Sequence, residues 1–559
     1  MEYLFGIIIL LGALVFFHEL GHFLVAKYFG VKVEVFSLGF GTKLIQKKIG
    51  ETQYCISLIP LGGYVKLYGE DPTSKIKGPD ASRSFANQSV WRRIGIAAAG
   101  PTANIVLAIL VFVCIEMFGL EKVITGHLAF VQKGSQAWEL GLRPGDEITH
   151  VNGKELVRWQ QDFLGVVQKS VDQKVHLTVQ RQKQSLDVEF IPQLEAQWNM
   201  FCEKPEVGVL QGVSVMGPNT RVGLSDPDSI AAQAGFETGD LILSLNNISV
   251  KYWYELENYL LNIAQKELVF EVEREGKAQK IQLKLLPEYF LLSEKQKQRL
   301  LGLFPYELFL REDVAPDTAA YRAGLQSGDR LVSMNDEPLQ SWDQMTEMIQ
   351  KSGKEKGQFY LTYERAGDLT TVQVFPTKLA EKHPCGVEEE SYKLGILSNM
   401  SDIYQPPKVK PYQELNPIKA LSSASVKSVG MMLMIFKSVG KMITGQIPLK
   451  AMGGPILIGK IAGDQFKEGV FPFLVLLAMI SLNLAVLNFL PIPVLDGGHL
   501  LLFACEAIRG KPLSERVLDY ANRAGLAVIL ALIILVFYND LSRYWGGILN
   551  FFRRLVGMA

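Results

Sequence analysis

Apolar residues are concentrated at the two ends of the chain, and a polar region from residue 121 to residue 410 separates them. The ends contain four segments that could cross a bilayer, which takes about 20 mainly apolar residues per helix. We predict transmembrane helices at residues 1–28, 93–118, 470–505 and 522–541, of which the last is the shortest. The pattern therefore predicts a mainly α-helical polytopic membrane protein with a large soluble insertion.

The first apolar segment could instead be a cleaved signal peptide. Its start, Met1-Glu2-Tyr3, has no basic residue, and no A-x-A cleavage site follows it. We therefore expect a retained helix. The loop after it is rich in Lys and Arg, and such loops stay in the cytoplasm. This places the N-terminus and the polar middle region outside, and a second basic stretch, at residues 509–523, on the cytoplasmic side.

The polar middle region contains an internal repeat. The three copies are residues 135–146, 229–240 and 318–329. Each copy is typical of a short helix that ends at a glycine, followed by a Gly-Asp turn that leads into an apolar strand. The period of roughly 90 residues is the size of a small domain and not of a solenoid unit. The corresponding α/β domains are predicted at residues 121–195, 213–288 and 302–380.

Two further regions lie next to the predicted transmembrane helices. Residues 33–70 contain β-type runs separated by glycines, which predicts a β-hairpin beside the membrane. In residues 411–468, apolar residues recur with Lys427, Lys437 and Lys441 between them, which favours an amphipathic helix at the membrane interface. A helix packed into the core fits that pattern equally well.

Charge and cysteine content bear on the possible partners and on disulfide formation. The chain has 57 Lys and Arg against 57 Asp and Glu, and no basic stripe interleaved with aromatics, so we expect no nucleic-acid partner. Cys202 and Cys385 fall in the outside region and could pair, which their separation in sequence does not decide.

The first apolar segment contains the pattern H-E-x-x-H, as His18-Glu19-Leu20-Gly21-His22. A spacing of four residues puts both imidazoles on one face of a helix, where they can share a zinc ion, with Glu19 beside it to handle a proton. An ionisable residue at the bilayer centre costs about 2.5–3.5 kcal/mol on the insertion scale. Three titratable groups within five residues therefore need a metal or a wet cavity.

A zinc site of this kind needs a third protein ligand and an open position for water. Asp496 is the first acidic residue after the uncharged run 470–495, an unusual place for a carboxylate without a cation. Pro491 and Pro493 disrupt the helix before it, so that Asp496 can turn toward a partner. His499 is a competing ligand, but it lies one turn further toward the basic loop, where we expect a solvated or capping residue.

Two motifs together resemble a known family. The H-E-x-x-H motif and the segment 488–497, which reads N-x-x-P-x-P-x-L-D-G, resemble the paired signature of the site-2 protease family, peptidase family M50. Residues 100–104 resemble the family's G-P-x-x-N element and residues 453–456 its G-G-P-I element, so the resemblance covers nearly the whole chain. The three repeated domains resemble PDZ domains, of which four-span members usually carry one or two.

The resemblance implies a site and a reaction. It implies zinc, Zn2+, held by His18, His22 and Asp496. It also implies that Glu19 is the catalytic base and that Asn483 and Asn488 bind or orient the substrate backbone. The reaction would be hydrolysis of peptide bonds inside transmembrane segments. Residues 33–70 resemble the family's membrane-reentrant β-hairpin, whose edge strand would hold an unwound substrate, against an ordinary cytoplasmic hairpin as the alternative.

The resemblance also implies a location and partners. It implies a multi-pass protein of the bacterial inner membrane, with the PDZ-like domains on the periplasmic side, and single-span membrane proteins such as anti-sigma factors and remnant signal peptides as substrates. The PDZ-like domains would exclude bulky ectodomains or bind extended peptides, although some copies could be spacers.

Two other classes of protein would share some of these features. A membrane-anchored PDZ scaffold with a vestigial zinc site would have lost a ligand or the base, whereas all four residues are present here. A zinc or proton transporter uses intramembrane His and Asp residues too, but it needs neither Glu19 nor a peptide-binding array.

Overall fold

The computed structural model describes residues 2–70, 80–119, 121–199, 201, 203–310, 314–382, 388–396 and 403–555. Cys202 and Cys385 lie outside the described residues. The chain forms two compact units. One, which we call the membrane unit, combines Met1–Lys122 with Pro411–Ala559, and the other, the soluble unit, is Val123–Lys410. The predicted soluble insertion between two apolar ends matches this division.

Seven helices of the membrane unit position its chemistry. They are α1 (Glu2–Tyr28), α2 (Val90–Met117), α3 (Pro417–Ile443), α4 (Pro455–Glu468), α5 (Val470–Phe489), α6 (Asp496–Arg509) and α7 (Glu515–Leu555). In the described part of the chain, five helices have the length and apolar composition that crossing a bilayer takes, namely α1, α2, α3, α5 and most of α7. The sequence predicted four, so α3 is an additional candidate.

Helix α3 is the one that the sequence assigned to the membrane interface. Its face with Ala420, Ala424 and Ser428 is buried, and Ser423 donates a hydrogen bond of 2.8 Å to the carboxylate of Glu116 in α2. Much of the opposite face is apolar and exposed, as at Leu433. One face of α3 therefore packs on α2, as the core-packing alternative expected, and its place in or on the bilayer stays a prediction.

The predicted third transmembrane helix, residues 470–505, is divided in the structure. Helix α5 ends at Phe489, and α6 begins at Asp496. Pro491 and Pro493 lie in the turn between them and have no backbone N–H to donate to a continuing helix. Asp496 therefore lies in the first turn of a new helix and not inside a long one. Helix α7 also differs, because it is much longer than the predicted 522–541.

The β-hairpin predicted at residues 33–70 is present as β1 (Val33–Ile49) and β2 (Thr52–Leu67), but it is bent. Each strand contributes two segments, and the register orders them as 63–67, 33–38, 53–57 and 43–49. Phe36, in an inner segment, packs against Phe16 and Phe23 of α1 with ring centroids 6.1 and 5.4 Å apart. The sheet therefore lies against α1 and has two edges, 63–67 and 43–49.

The soluble unit contains the three predicted copies, which we call the PDZ-like domains. Each has a four-stranded antiparallel sheet in which the strands lie in the order 2-1-3-4. The first sheet has Glu147–Val151, Lys154–Glu155, Val175–Arg181 and Gln184–Phe190. The second has Leu241–Leu245, Ile248–Ser249, Glu267–Arg274 and Lys277–Lys284. The third has Arg330–Met334, Glu337–Pro338, Phe359–Arg365 and Asp368–Val374.

Helices pack on these sheets around three separate cores. A short helix precedes each sheet: Gln136–Glu139, Ile230–Gln233 and Ala319–Arg322. Helical segments between the second and third strands are Trp159–Leu164, Gly165–Lys169, Trp253–Leu261 and Trp342–Lys356.

The remaining helical segments of the chain are Ala81–Arg83, Pro287–Leu291, Glu294–Leu301, Tyr306–Leu308 and Leu449–Ala451. The remaining strands are Glu121–Ile124, Phe130–Val131, Gln193–Ala196, Glu206–Val209, Val213–Ser214, Gly217–Pro218, Val222–Gly223, Phe304–Pro305, Thr377–Lys382, Glu388–Lys393, Tyr404–Gln405 and Val409–Tyr412.

Each PDZ-like domain contacts both of the others. The Gln340 side-chain amide of the third exchanges two hydrogen bonds, of 2.7 and 3.0 Å, with the Lys133 backbone of the first. Ser225 of the second donates to Glu364 of the third at 2.6 Å. Tyr254 of the second lies 3.0 Å from Nε2 of His127 in the first. Burial lowers the pKa of His127 to about 4, so at pH 7 its neutral ring can accept the Tyr254 hydroxyl proton.

The aspartate of each Gly-Asp turn is buried and paired with an arginine. The three pairs are Asp146 with Arg181, Asp240 with Arg274 and Asp329 with Arg365. In each pair, two guanidinium nitrogens donate to the two carboxylate oxygens over 2.6–2.8 Å. The same arginine also donates to the carbonyl of the glycine that ends the short helix. The repeated sequence is therefore a repeated ion-pair clamp between the helix end and the third strand.

Replacing Asp240 with Asn is expected to destabilise the second PDZ-like domain by about 2 kcal/mol, since a charge-assisted hydrogen bond contributes about 1.5–3 kcal/mol. The midpoint of urea unfolding, followed by pulse proteolysis of the full chain and cleavage products from this domain, measures the change. Asp228→Asn, at an exposed position of the same domain, is the matched control. Equal midpoints for the two variants would contradict a stabilising clamp.

Candidate metal centre

Helix α1 presents His18 and His22 on one face, because residues four apart lie one above the other on a helix. Their Nε2 atoms are 3.2 Å apart. Both side chains are largely buried, with 12% and 13% of their surface exposed. The predicted pair of imidazoles is therefore formed, with two ring nitrogens directed to one point.

Asp496, in the first turn of α6, completes the group. Its Oδ2 lies 3.2 Å from Nε2 of His18, and its Oδ1 lies 3.5 Å from Nε2 of His22. Within the described ranges, these three side chains are the one set of three or more His, Cys, Asp or Glu that could share a metal ion. The fold thus brings together residues from opposite ends of the chain, as the sequence predicted.

The spacing of the three donors fits a tetrahedral zinc ion. Zinc–nitrogen and zinc–oxygen bonds of about 2.0–2.1 Å place the ligand atoms of a tetrahedron about 3.3–3.4 Å apart. The observed distances of 3.2, 3.2 and 3.5 Å lie around that value, with the two histidines measured to different oxygens of the Asp496 carboxylate. Two neutral imidazoles and one carboxylate also match a common donor set of catalytic zinc, with a fourth position left for water.

Hydrogen bonds from α2 fix the ring orientation of both histidines. Nδ1 of His22 donates to the carbonyl oxygen of Ile96 over 2.8 Å, which leaves the lone pair of Nε2 free. The side-chain amide of Asn104 lies 3.2 Å from Nδ1 of His18. The atom at this distance is the amide nitrogen Nδ2, while the buried amide oxygen has no hydrogen-bond partner. Rotating the amide by 180° would bring its oxygen to Nδ1, where it would accept N–H and select the same tautomer. Ser481 of α5 donates to the backbone carbonyl of Asn104 over 2.7 Å.

Gly100 of α2 leaves the space that the two imidazoles occupy. A Cβ atom at this position would lie 2.2 Å from Nε2 of His22 and 2.8 Å from Cε1 of His18. Any larger residue would therefore displace a candidate metal ligand. Together with Asn104, it gives a physical reason for the G-P-x-x-N element at residues 100–104, to which sequence reasoning had assigned no contact.

Glu19 lies between the two histidines in sequence but outside the triangle of donor atoms. Its carboxylate lies close to the backbone N–H of Val65. A Cβ atom on Gly63 would lie 3.2 Å from Cγ of Glu19. The edge segment 63–67 of the bent sheet therefore runs directly beside Glu19.

The other predicted site residues are placed less centrally. Asn483 is exposed and Asn488 is half-buried, both on α5. Their spacing of five residues separates them by roughly 140° around the helix, so they do not share one face. His499 is exposed and lies beside Phe503, with ring centroids 6.1 Å apart, and it is not part of the donor group. The solvated or capping role expected for His499 stays a prediction.

Helix α6, which carries Asp496, is tied to α2 at its other end. Arg93 of α2 forms an ion pair with Glu506 of α6 and lies over the ring of Phe503, 4.9 Å from its centroid. Both charged side chains are mostly buried. Helix α2 therefore contacts both helices that carry the candidate ligands, α1 through Ile96 and Asn104, and α6 through Arg93.

Comparisons with known proteins agree with this geometry. The profile of peptidase family M50 matches residues 6–532. Regulator of sigma-E protease RseP of Escherichia coli strain K12 is 30% identical over 548 residues, which cover 96% of this chain and 97% of that protein. Protease RseP of Yersinia pestis is 28% identical over 540 residues, which cover 96% of this chain and 97% of that protein. The similarity thus extends over both units of the fold.

Proposed function

The chain belongs to peptidase family M50 and is an intramembrane zinc metalloprotease, and from that premise we propose which residues perform the reaction. His18, His22 and Asp496 hold the zinc ion, and Glu19 is the general base. The observation that carries the proposal is the convergence of two imidazoles and one carboxylate from two distant segments, whose nearest atoms lie 3.2–3.5 Å apart, with the Glu19 carboxylate on the same turn of α1.

Zinc, when bound, supplies a Lewis acid at the point where the three donors converge. The protein's own residues supply the rest. The Glu19 carboxylate removes a proton from the attacking water and passes it to the leaving nitrogen of the scissile bond. The Ile96 carbonyl keeps the ring of His22 in the tautomer that presents Nε2, and the Asn104 amide lies against Nδ1 of His18 and orients that ring. Gly100 keeps the neighbouring helix from filling the site.

The edge segment 63–67 supports a role in holding the substrate. A transmembrane helix hides its peptide carbonyls in its own hydrogen bonds, so the substrate must unwind before hydrolysis. Residues 33–38 pair with one side of segment 63–67, and Glu19 lies at Val65 on the segment. An extended peptide added along the side that faces Glu19 would lie beside the metal ligands.

We further propose the class of substrate and the membrane topology. The substrates are single-span membrane proteins of the bacterial inner membrane, including anti-sigma factors and remnant signal peptides. The basic loop between α1 and α2 lies in the cytoplasm, and the PDZ-like domains lie on the periplasmic side. Contacts of the third PDZ-like domain with the other two favour a single rigid array over an independent third peptide-binding module.

Incubation of the purified full-length protein with a panel of tagged single-span peptides tests the proposal. We expect cleavage inside the apolar segment, its loss when 1,10-phenanthroline removes the metal, and its return on addition of stoichiometric Zn2+. Gly100→Val, which fills the space of the imidazoles, is expected to be inactive in all three conditions. Its control is Gly12→Val, at a position of α1 with open space around it. Cleavage that persists without metal would contradict the proposed site.

A further inference from the structure

Helix α7 contributes none of the candidate metal ligands. It contacts the turn that precedes Asp496 and the start of α4, the helix that packs on α1. We infer that α7 is a positioning element, which keeps Asp496 of α6 in register with His18 and His22 of α1 through two of its residues, Gly525 and Asp540. This inference rests on the ligand set proposed above. The two contacts are independent of each other and lie about 22 Å apart along the helix.

The first contact is made by Gly525 against the turn before Asp496. Gly525 is buried, whereas its neighbours Ala524 and Leu526 are exposed. A Cβ atom on Gly525 would lie 2.2 Å from the carbonyl oxygen of Pro493 and 2.6 Å from its carbonyl carbon. Backbone atoms cannot rotate out of the way as a flexible side chain can. The backbone of α7 therefore presses directly on a residue three positions before Asp496.

The turn transmits that contact to the metal ligand because it is tightly built. Val494 has a φ of +82°, a left-handed conformation that β-branched residues rarely adopt. Within the turn, Leu495 N–H donates to the Ile492 carbonyl over 3.1 Å. A Cβ atom on Gly498 of α6 would lie 2.4 Å from that same carbonyl oxygen. A shift of Pro493 thus cannot be absorbed within the turn and moves the first turn of α6.

The second contact is made by the buried carboxylate of Asp540. Its Oδ1 accepts the N–H of Gly454 over 2.9 Å, and its Oδ2 accepts the N–H of Ile456 over 2.8 Å and of Leu457 over 3.3 Å. These groups belong to the start of α4, where backbone N–H groups have no partner within the helix. A negative charge is also favourable at that end of the helix dipole. Asp540 is therefore the cap of α4, supplied by a distant helix.

This cap accounts for the G-G-P-I element at residues 453–456. A Cβ atom on Gly454 would lie 2.5 Å from Oδ2 of Asp540, so only glycine lets the carboxylate reach the helix start. Pro455, at the first helical position, has no N–H that would need an acceptor. The side chain of Asn539 adds a hydrogen bond of 2.8 Å to the Leu449 carbonyl. The whole element is thus shaped to receive α7.

Helix α4 passes the second contact on to α1. A Cβ atom on Gly6 would lie 3.1 Å from the Ala462 carbonyl oxygen. Phe5 meets Phe466 edge to face, with ring centroids 5.9 Å apart. Gly6 and His18 belong to one continuous helix and are about 18 Å apart along it. Asp540 thus acts on the histidines over a longer path than Gly525 acts on Asp496, and its replacement should have the smaller effect.

The test is metal binding by Gly525→Val in the full-length protein, measured from the d–d absorption of bound Co2+. We expect the affinity of Gly525→Val for Co2+ to fall on the order of tenfold or more, the range found when groups that orient metal ligands are changed. The intensities of the Co2+ d–d bands should change as well. Ala527→Val, at an exposed position of the same helix, is the control and should match the unaltered protein. Asp540→Ala should shift affinity in the same direction by less, and Asp519→Ala, an exposed acid of α7, should not.

Each outcome decides one question. If the unaltered chain and the Ala527→Val control bind no Co2+, the proposed ligand set is wrong, and the inference fails with it. If they bind it and Gly525→Val binds it with the same affinity and spectrum, the inference alone is overturned. Should Gly525→Val aggregate in gel filtration, Gly525→Ala decides, because it adds one carbon at the same point. An unchanged spectrum in that variant would also overturn the inference.

Discussion

Replacing Glu19 with Gln is expected to abolish cleavage of a transmembrane substrate while zinc stays bound. The amide has the shape of the carboxylate but cannot take up a proton, and general acid–base catalysis contributes about 10²–10⁴-fold in rate. Glu19 is outside the triangle formed by His18, His22 and Asp496, so the metal ligands are untouched. Zinc content by mass spectrometry and the cleavage rate of a tagged single-span peptide, measured on the same sample, check both parts.

The control for this variant is Glu468→Gln, the same replacement at an exposed position of α4. It should cleave and bind zinc as the unaltered protein does. Full proteolysis by Glu19→Gln would remove Glu19 from the mechanism. Loss of zinc together with activity would instead make Glu19 a metal ligand, a role that the geometry does not give it.

The core of the site was predictable from the sequence because its signals are local. The spacing of His18 and His22 fixes their shared helix face whatever surrounds them. Asp496 is conspicuous because a carboxylate after a long uncharged run needs a partner. What local reasoning could not supply is the contact of each ring with α2. The Ile96 carbonyl and the Asn104 amide are 74 and 86 residues away from their histidines, and only packing determines which residue arrives there.

The three repeats carry a recurrent ion pair that the Gly-Asp turn alone does not predict. Sequence reasoning recognised the Gly-Asp turn as a change of direction, but the buried aspartate is held by an arginine on the third strand. That arginine follows the aspartate by 35, 34 and 36 residues in the three copies. A recurrent acid and base at nearly constant separation indicates an ion pair, and comparing the copies over their whole length would have revealed it.

The membrane helices show where composition alone reaches its limit. Prolines at 491 and 493 correctly indicated a disrupted helix, yet the break is complete, and Asp496 gains a rigid position in the first turn of α6. The lysines of α3 led to its assignment to the membrane interface, although the helix is long and apolar enough to span a bilayer. Part of its polar face contacts α2. In both cases, tertiary contacts determine where a helix ends and which of its faces is buried, and the apolar pattern alone does not.

Replacing Asp496 with Ala is expected to weaken zinc binding by more than the 10- to 100-fold typical of losing a residue that only orients a ligand. The variant keeps two imidazoles but loses both the third donor atom and the negative charge that lies 3.2 and 3.5 Å from them. Competition with a chromogenic chelator measures the affinity. His499→Ala, three residues further along the same helix, is the matched control and should bind zinc normally, because His499 is outside the donor group. The reverse pattern, with normal binding in Asp496→Ala and loss in His499→Ala, would transfer the third position to His499 and require a different orientation of α6.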